Sequence, residues 1–216
     1  MNTSKLLNIL LATALLVVVV VTTMRDTKNS ATESQGDRTV PAGDTLAIIH
    51  QRKSVRKYTD QPVMTEQLET LAKAGMAAPT AMNKQPWAMV AITDRKVLDK
   101  LAEQLPYGKM LAQAPAAMAI CGNMNKALEN AGRAYWVQDC SAATENVLLA
   151  AEAMGLGAVW LGVHPIEAQV KEVSETLNLP AHLVPLNVIS IGYPTGVEKP
   201  KNKWKPENLL WRTASE

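Results

Sequence analysis

Residues Trp136 to Met154 read as one long helix that is apolar on most of its faces. A surface helix shows a single apolar stripe, so a helix of this kind must be enclosed by other layers and act as a central packing element. Gly155 follows in the position where helices commonly end in a left-handed residue, and Gly157 to Val163 then has the length and character of a strand. The remaining periodicities have to supply the layers around that helix.

They do so with both element types. A short helix is expected from Asp44 as N-cap, with Leu46 and Ile49 inward, ending near the basic residues that begin at Arg52. A second follows Thr65 with Leu68, Leu71, Ala72 and Met76 on one face, and Ala78-Pro79 stops it. Trp87 to Thr93 has strand length, and Asp94 then caps a helix carrying Val97, Leu98, Leu101 and Leu105. Ala116 to Cys121 and Leu186 to Ile191 are further apolar strands, and Ile166 to Leu177 is a helix with Val170, Val173 and Leu177 inward. The order is mixed α and β without repeats, which predicts an α+β domain.

The domain is expected to occupy residues 44–216. Ahead of it, Leu6 to Val21 is an apolar run broken by Asn8 and Thr13 and flanked by Lys5, Arg25 and Lys28, so residues 1–25 read as an export signal or membrane anchor. Its length and the lack of an A-x-A site favour an uncleaved anchor, placing the protein at the cell envelope, while the balanced flanking charges leave the orientation open. Residues 26–43 are rich in Ser, Thr, Asn, Asp and Gly and read as a flexible linker.

A net charge of +2 lacks the basic excess of a nucleic-acid binder. His50, His164 and His182 with Cys121 and Cys140 have no ligand spacing, so no metal site is expected. Each Cys lies in an apolar run, where a free thiol behaves as a small buried hydrophobe, although export would permit a disulfide between them.

Four segments carry candidate chemistry. Arg52-Lys53-Ser54-Val55-Arg56-Lys57-Tyr58 is basic and hydroxyl-bearing; in an extended chain Arg52, Ser54 and Arg56 can point to one side and grip an anion. Pro79-Thr80-Ala81-Met82-Asn83-Lys84-Gln85-Pro86-Trp87 is a stiff polar loop whose Asn amide offers donor and acceptor to a heterocycle edge. Gly155-Leu156-Gly157-Ala158-Val159-Trp160-Leu161-Gly162 closes a helix and enters a strand, the reverse of a dinucleotide-binding loop, and Gly162 permits close approach of a ligand to the backbone. Lys199, Lys201, Lys203 and Lys205 alternate with other residues in an extended tail, aiming positive charge to one side.

In order and spacing these four segments resemble the FMN-dependent nitroreductase family, with its R-x-S-x-R/K run, P-[ST]-x-x-N-x-Q-P-W loop, G-[LM]-G-x-x-W-x-G stretch and basic tail pair. The likeness runs from Leu46 to about Leu210. It implies a three-layer domain with a central mixed or antiparallel sheet flanked by helices, and FMN at a homodimer interface. By the same likeness Arg52, Lys53, Ser54 and Arg56 hold the phosphate and ribityl chain or the O2 edge of the ring. Pro79, Thr80 and Asn83 lie at the ring edge, Trp160, Leu161 and Gly162 near N5, and Lys201 and Lys203 complete the phosphate clamp. The tail departs from the family in having Lys203 where Arg is usual, which keeps the charge and loses the two-pronged fork. The chain also has no Phe, so Tyr107, Trp136 or Met110 is left to cover the flavin.

The implied activity is hydride transfer from NADH or NADPH through FMN to an electron-poor acceptor such as a nitroaromatic or quinone. No side chain is expected to act as general acid or base, since the flavin carries the chemistry. The competing expectation is a membrane-tethered flavin-binding redox module or carrier without turnover of its own.

Overall fold

The computed structural model describes residues 42–213. The expectations for residues 1–25, and for all but the last residues of the 26–43 segment, lie outside the described residues. Among the described residues no helix is long and apolar enough to cross a membrane.

Among the described residues five α-helices and four strands follow in order: α1 (Ala42–Gln51), α2 (Thr65–Met76), β1 (Trp87–Ile92), α3 (Arg95–Gln104), β2 (Ala116–Asn123), α4 (Tyr135–Ala153), β3 (Gly157–Gly162), α5 (Glu167–Thr176) and β4 (Leu183–Gly192). The strands form one antiparallel sheet in the order β1-β2-β4-β3. Of the mixed or antiparallel sheet expected, the antiparallel form is present, and parallel character is confined to a single bridge between Ser54 and Ala158.

The central strands explain the layering. In β2, Ala116, Met118 and Ile120 join the core on one face, and Ala117, Ala119 and Cys121 join the core on the other. A strand with no polar face is buried on both sides, so helices must cover each. On the first face α4 supplies Cys140, Ala143, Val147 and Ala151, and α2 supplies Leu68 and Leu71. On the second α3 supplies Leu98 and Leu101, and α5 supplies Val173. The helix that is apolar on most faces thus packs on the sheet beside α2 and contacts both.

Two readings of the helices change. Helix α1 begins at Ala42, so Asp44 sits in its first turn rather than at its cap, and Leu46 and Ile49 are exposed rather than inward. In α2 the inward position is Gly75, not Met76, because Gly75 lies against Met89 and Val147 where a Cβ would come within 2.6 Å and 2.9 Å of their side chains. The Arg52–Tyr58 run is extended as expected and bridges Ala158 of β3 at Ser54 and Pro194, just beyond β4, at Tyr58.

Asp94 caps α3 as expected, its carboxylate accepting the Lys96 backbone N–H at 2.8 Å. Asp94→Ala should destabilise the fold by about 1 kcal/mol, with Asp94→Ser close to wild type, as read by urea denaturation. Cys121 and Cys140 are both free and buried, and burial pushes each thiol up to about 12, so both stay protonated and unreactive near neutral pH.

Candidate functional site

On leaving α1 the chain is pulled onto the outer edge of β3. The Val55 N–H donates to the Ala158 carbonyl at 3.0 Å. The fully buried Val55 side chain lies over Gly157, where a Cβ would sit 2.6 Å from Val55 Cγ1. Farther on, the Tyr58 hydroxyl donates to the Val55 carbonyl at 2.7 Å and lies 2.6 Å from Ser190 Oγ. Burial pushes this phenol well above the ordinary tyrosine range, so it remains a neutral strut.

At the helix exit two of the basic side chains have carboxylate partners. Arg52 Nε pairs with Glu145 Oε1 at 3.2 Å, and Lys53 Nζ pairs with Glu152 Oε1 at 2.7 Å; both partners are on α4. Lys53 is therefore chiefly a tether between this run and α4, with its charge already engaged. Arg56 stays exposed and has no carboxylate partner among the described ion pairs.

The tail comes back to the same place. Beyond β4, the Tyr193 carbonyl accepts the Thr59 N–H at 2.9 Å, and the Thr195 N–H reaches the Lys57 carbonyl at 3.2 Å. Gly196 then turns the chain with φ 87°, a conformation suited to glycine. The result is a cavity of about 340 Å³ lined by Arg52, Ser54 and Arg56 of the run and by Lys199, Lys201 and Lys203 of the tail. Lys53 and Glu198 complete its lining. The sequence-predicted phosphate residues of the first and fourth segments are thus neighbours, and their donors and charge suit a phosphate dianion.

From this cavity the edge of β3 leads onward. Since the Ala158 carbonyl faces outward to Val55, the pleat turns the peptide groups of Trp160 and Gly162 to the same outer side, while Val159 and Leu161 face β4. Gly162 is exposed, and a Cβ there would meet nothing within 4 Å, so the chain's own packing does not demand glycine at this position. Leu161 has its side chain in the second core and its peptide groups toward β4; Trp160 is half-buried against the first core. Gly162 lies about 13 Å along the strand from Ala158, a reach suited to a ribityl phosphate arm ending in a flat ring.

The second segment lies elsewhere. The order β1-β2-β4-β3 puts β1 and β3 on opposite edges, three strand spacings or roughly 14 Å apart. The loop before Trp87 is therefore far across the sheet from the cation cavity, although at the same end as Gly162, because Trp87 pairs with Gly122 and Gly162 with Asn187. Met82, Asn83 and Gln85 have φ of 51°, 54° and 49°. Side-chain bonds hold them there: Thr80 Oγ1 accepts the Gln85 N–H at 3.1 Å, and Asn83 Oδ1 accepts from Gln85 Nε2 at 3.0 Å. Asn83 and Pro79 are exposed, and Thr80 is half-buried.

Two residues that pattern reading did not single out anchor these segments, one at each place. The buried Asp139 carboxylate, on α4, accepts the Ala81 N–H at 2.8 Å. An acid inside an otherwise apolar helix was the available signal. Glu198, between Gly196 and the lysines, accepts the Arg56 N–H at 2.9 Å. Of the three side chains expected to cover a flavin, Trp136 is 7% exposed, packed edge-on to His164 at 4.8 Å and filling the space over Gly122. Met110 is partly buried against Val55, Tyr58 and Ala114, and Tyr107 is 84% exposed.

Comparison with known proteins shows the family and the fold. The nitroreductase family model matches residues 49–106 and 102–193. A protein of Archaeoglobus fulgidus provisionally named as an NADH dehydrogenase/NAD(P)H nitroreductase is 44% identical over 149 residues, spanning 69% of this chain and 84% of its own length. A crystal structure from Parabacteroides distasonis, bearing the same provisional name, is 46% identical and superposes with a TM-score of 0.74, covering 79% of this chain and 99% of the other. An FMN-dependent nitroreductase of Clostridium difficile is 26% identical with a TM-score of 0.71, covering 78% and 99%.

Proposed function

The chain belongs to the nitroreductase family, and from that membership we propose that this FMN-dependent NAD(P)H oxidoreductase reduces an electron-poor acceptor such as a nitroaromatic or a quinone. The observation that carries the reading is the convergence of Arg52, Ser54 and Arg56 with Lys201 and Lys203 on one cavity beside the edge of β3. Bound FMN would supply the two-electron chemistry, taking hydride from the nicotinamide and passing it to the acceptor. The residues of this chain bind and orient. Arg56, Lys201 and Lys203 match the phosphate charge, Ser54 adds a hydroxyl, and the outward peptide groups of Trp160 and Gly162 offer a donor and an acceptor to the ring edge.

The position of Asn83 bears on assembly. Its loop is on the sheet edge opposite the cavity, so Pro79, Thr80 and Asn83 meet a flavin held by Arg56 and Lys203 most readily if they come from a second copy of the chain. Leu46 and Ile49 on α1, with Trp204, Leu210 and Trp211 on the tail, are exposed apolar side chains available to such a contact. A homodimer with two shared sites is the assembly proposed. The apolar Leu6 to Val21 run would tether the pair to a membrane, and recovery of full-length protein only from the soluble fraction would remove that part of the proposal.

The absorption spectrum of the purified protein tests the function. A flavin spectrum that bleaches within seconds of anaerobic NADH or NADPH, and returns on adding a quinone or nitroaromatic, is expected. A folded, colourless protein that fails to retain added FMN on gel filtration would sink the assignment.

A further inference from the structure

We infer that Glu198 is a positioning residue that locks the lysine-bearing tail against Arg56, so that the two cation groups face a single phosphate. The inference rests on the functional reading above. Along residues 55–59 the N–H groups of Val55 and Thr59 are used by Ala158 and Tyr193, and alternation turns the Arg56 N–H the other way. The tail reaches that opposite side only because Gly196 reverses it. Glu198 Oε1 then takes the Arg56 N–H at 2.9 Å, the first contact between tail and run after the Thr195–Lys57 bond. Lys199, Lys201 and Lys203 follow directly and line the cavity.

Two further facts distinguish this from a chance surface contact. Glu198 Oε2 is buried without a hydrogen-bond partner, and no Lys or Arg nitrogen among the described ion pairs comes within 4.0 Å of the carboxylate. A carboxylate whose role was to neutralise the cations would sit in contact with them. This one instead bonds a backbone N–H and leaves the lysines free for a ligand. Reach, rather than charge, is what the site asks of residue 198.

That distinction sets the experiment. Flavin-stripped full-length protein is titrated with FMN and with riboflavin, for wild type and for Glu198→Gln, Glu198→Asp and Glu198→Ala. Gln keeps the reach and the acceptor oxygen but loses the charge; Asp keeps the charge and falls a methylene short. The Asp and Ala variants are expected to bind FMN about tenfold more weakly, with Gln within about twofold of wild type and riboflavin the same for all four. Wild-type affinity in Asp with loss in Gln would show that charge is what matters and overturn the inference. Tighter FMN binding in Ala would overturn it too, by making Glu198 a competitor of the phosphate, as would equal losses for both ligands or no loss in any variant. Failure of wild type itself to bind FMN would instead sink the functional reading, and this inference with it.

Discussion

Arg56→Ala and Lys203→Ala should each weaken FMN binding by about 1.5 to 3 kcal/mol, tenfold or more in Kd, while riboflavin binding changes little. Arg56 and Lys203 come from opposite ends of the domain sequence but line one cavity, and neither has a carboxylate partner among the described ion pairs. Their charge is thus free for a ligand, whereas Arg52 and Lys53 already share theirs with Glu145 and Glu152. Removing one cation would leave part of a partly enclosed phosphate uncompensated. Because the two would share one ligand group, the double variant should show coupling rather than simple addition. Fluorescence titration with FMN and riboflavin checks this, and equal losses for both ligands would mean that the side chains support the fold and not a phosphate.

Trp136→Ala should cost about 3 to 5 kcal/mol of stability, the largest single loss expected in the domain, with Trp136→Phe much milder. Trp136 is buried at the start of α4, closes the space over Gly122 in β2 and meets His164 just beyond β3. The ring sits directly on the Gly122 backbone, where a Cβ would lie 2.3 Å from it. One turn along α4, Asp139 holds the Ala81 N–H, so the cavity left by Trp136 would also loosen the Pro79–Trp87 loop. Thermal denaturation measures the first effect, and proteolysis near Asn83 the second. An unchanged melting temperature would contradict the packing described.

The layering was legible in the sequence because it rests on burial. Ala116 to Cys121 has no polar face, and the 136–154 helix has almost none, so both had to lie inside. Exposure at the ends of the domain was not legible. Leu46 and Ile49 follow helical spacing, but periodicity says that a face is apolar and not whether the same chain covers it. The residues expected to hold a phosphate were recognisable as two basic segments; that they meet depends on Gly196 and on the Thr59–Tyr193 pairing, which are long-range facts. Glu198 and Asp139 act by accepting single backbone N–H groups, a role that leaves no spacing pattern.

The contact between Val55 and Gly157 reaches beyond this one chain. Strand edge and basic run approach so closely that a methyl group at 157 would overlap Val55, and both positions are buried. Neither can therefore change size alone. Among proteins of this architecture, a side chain at the position of Gly157 should occur only where the position of Val55 has become smaller, and a compiled set of sequences would display the two columns as a correlated pair. Drift in either column alone would have to push the basic run off β3, so the history of the anion grip is expected to be written in two residues that bind nothing.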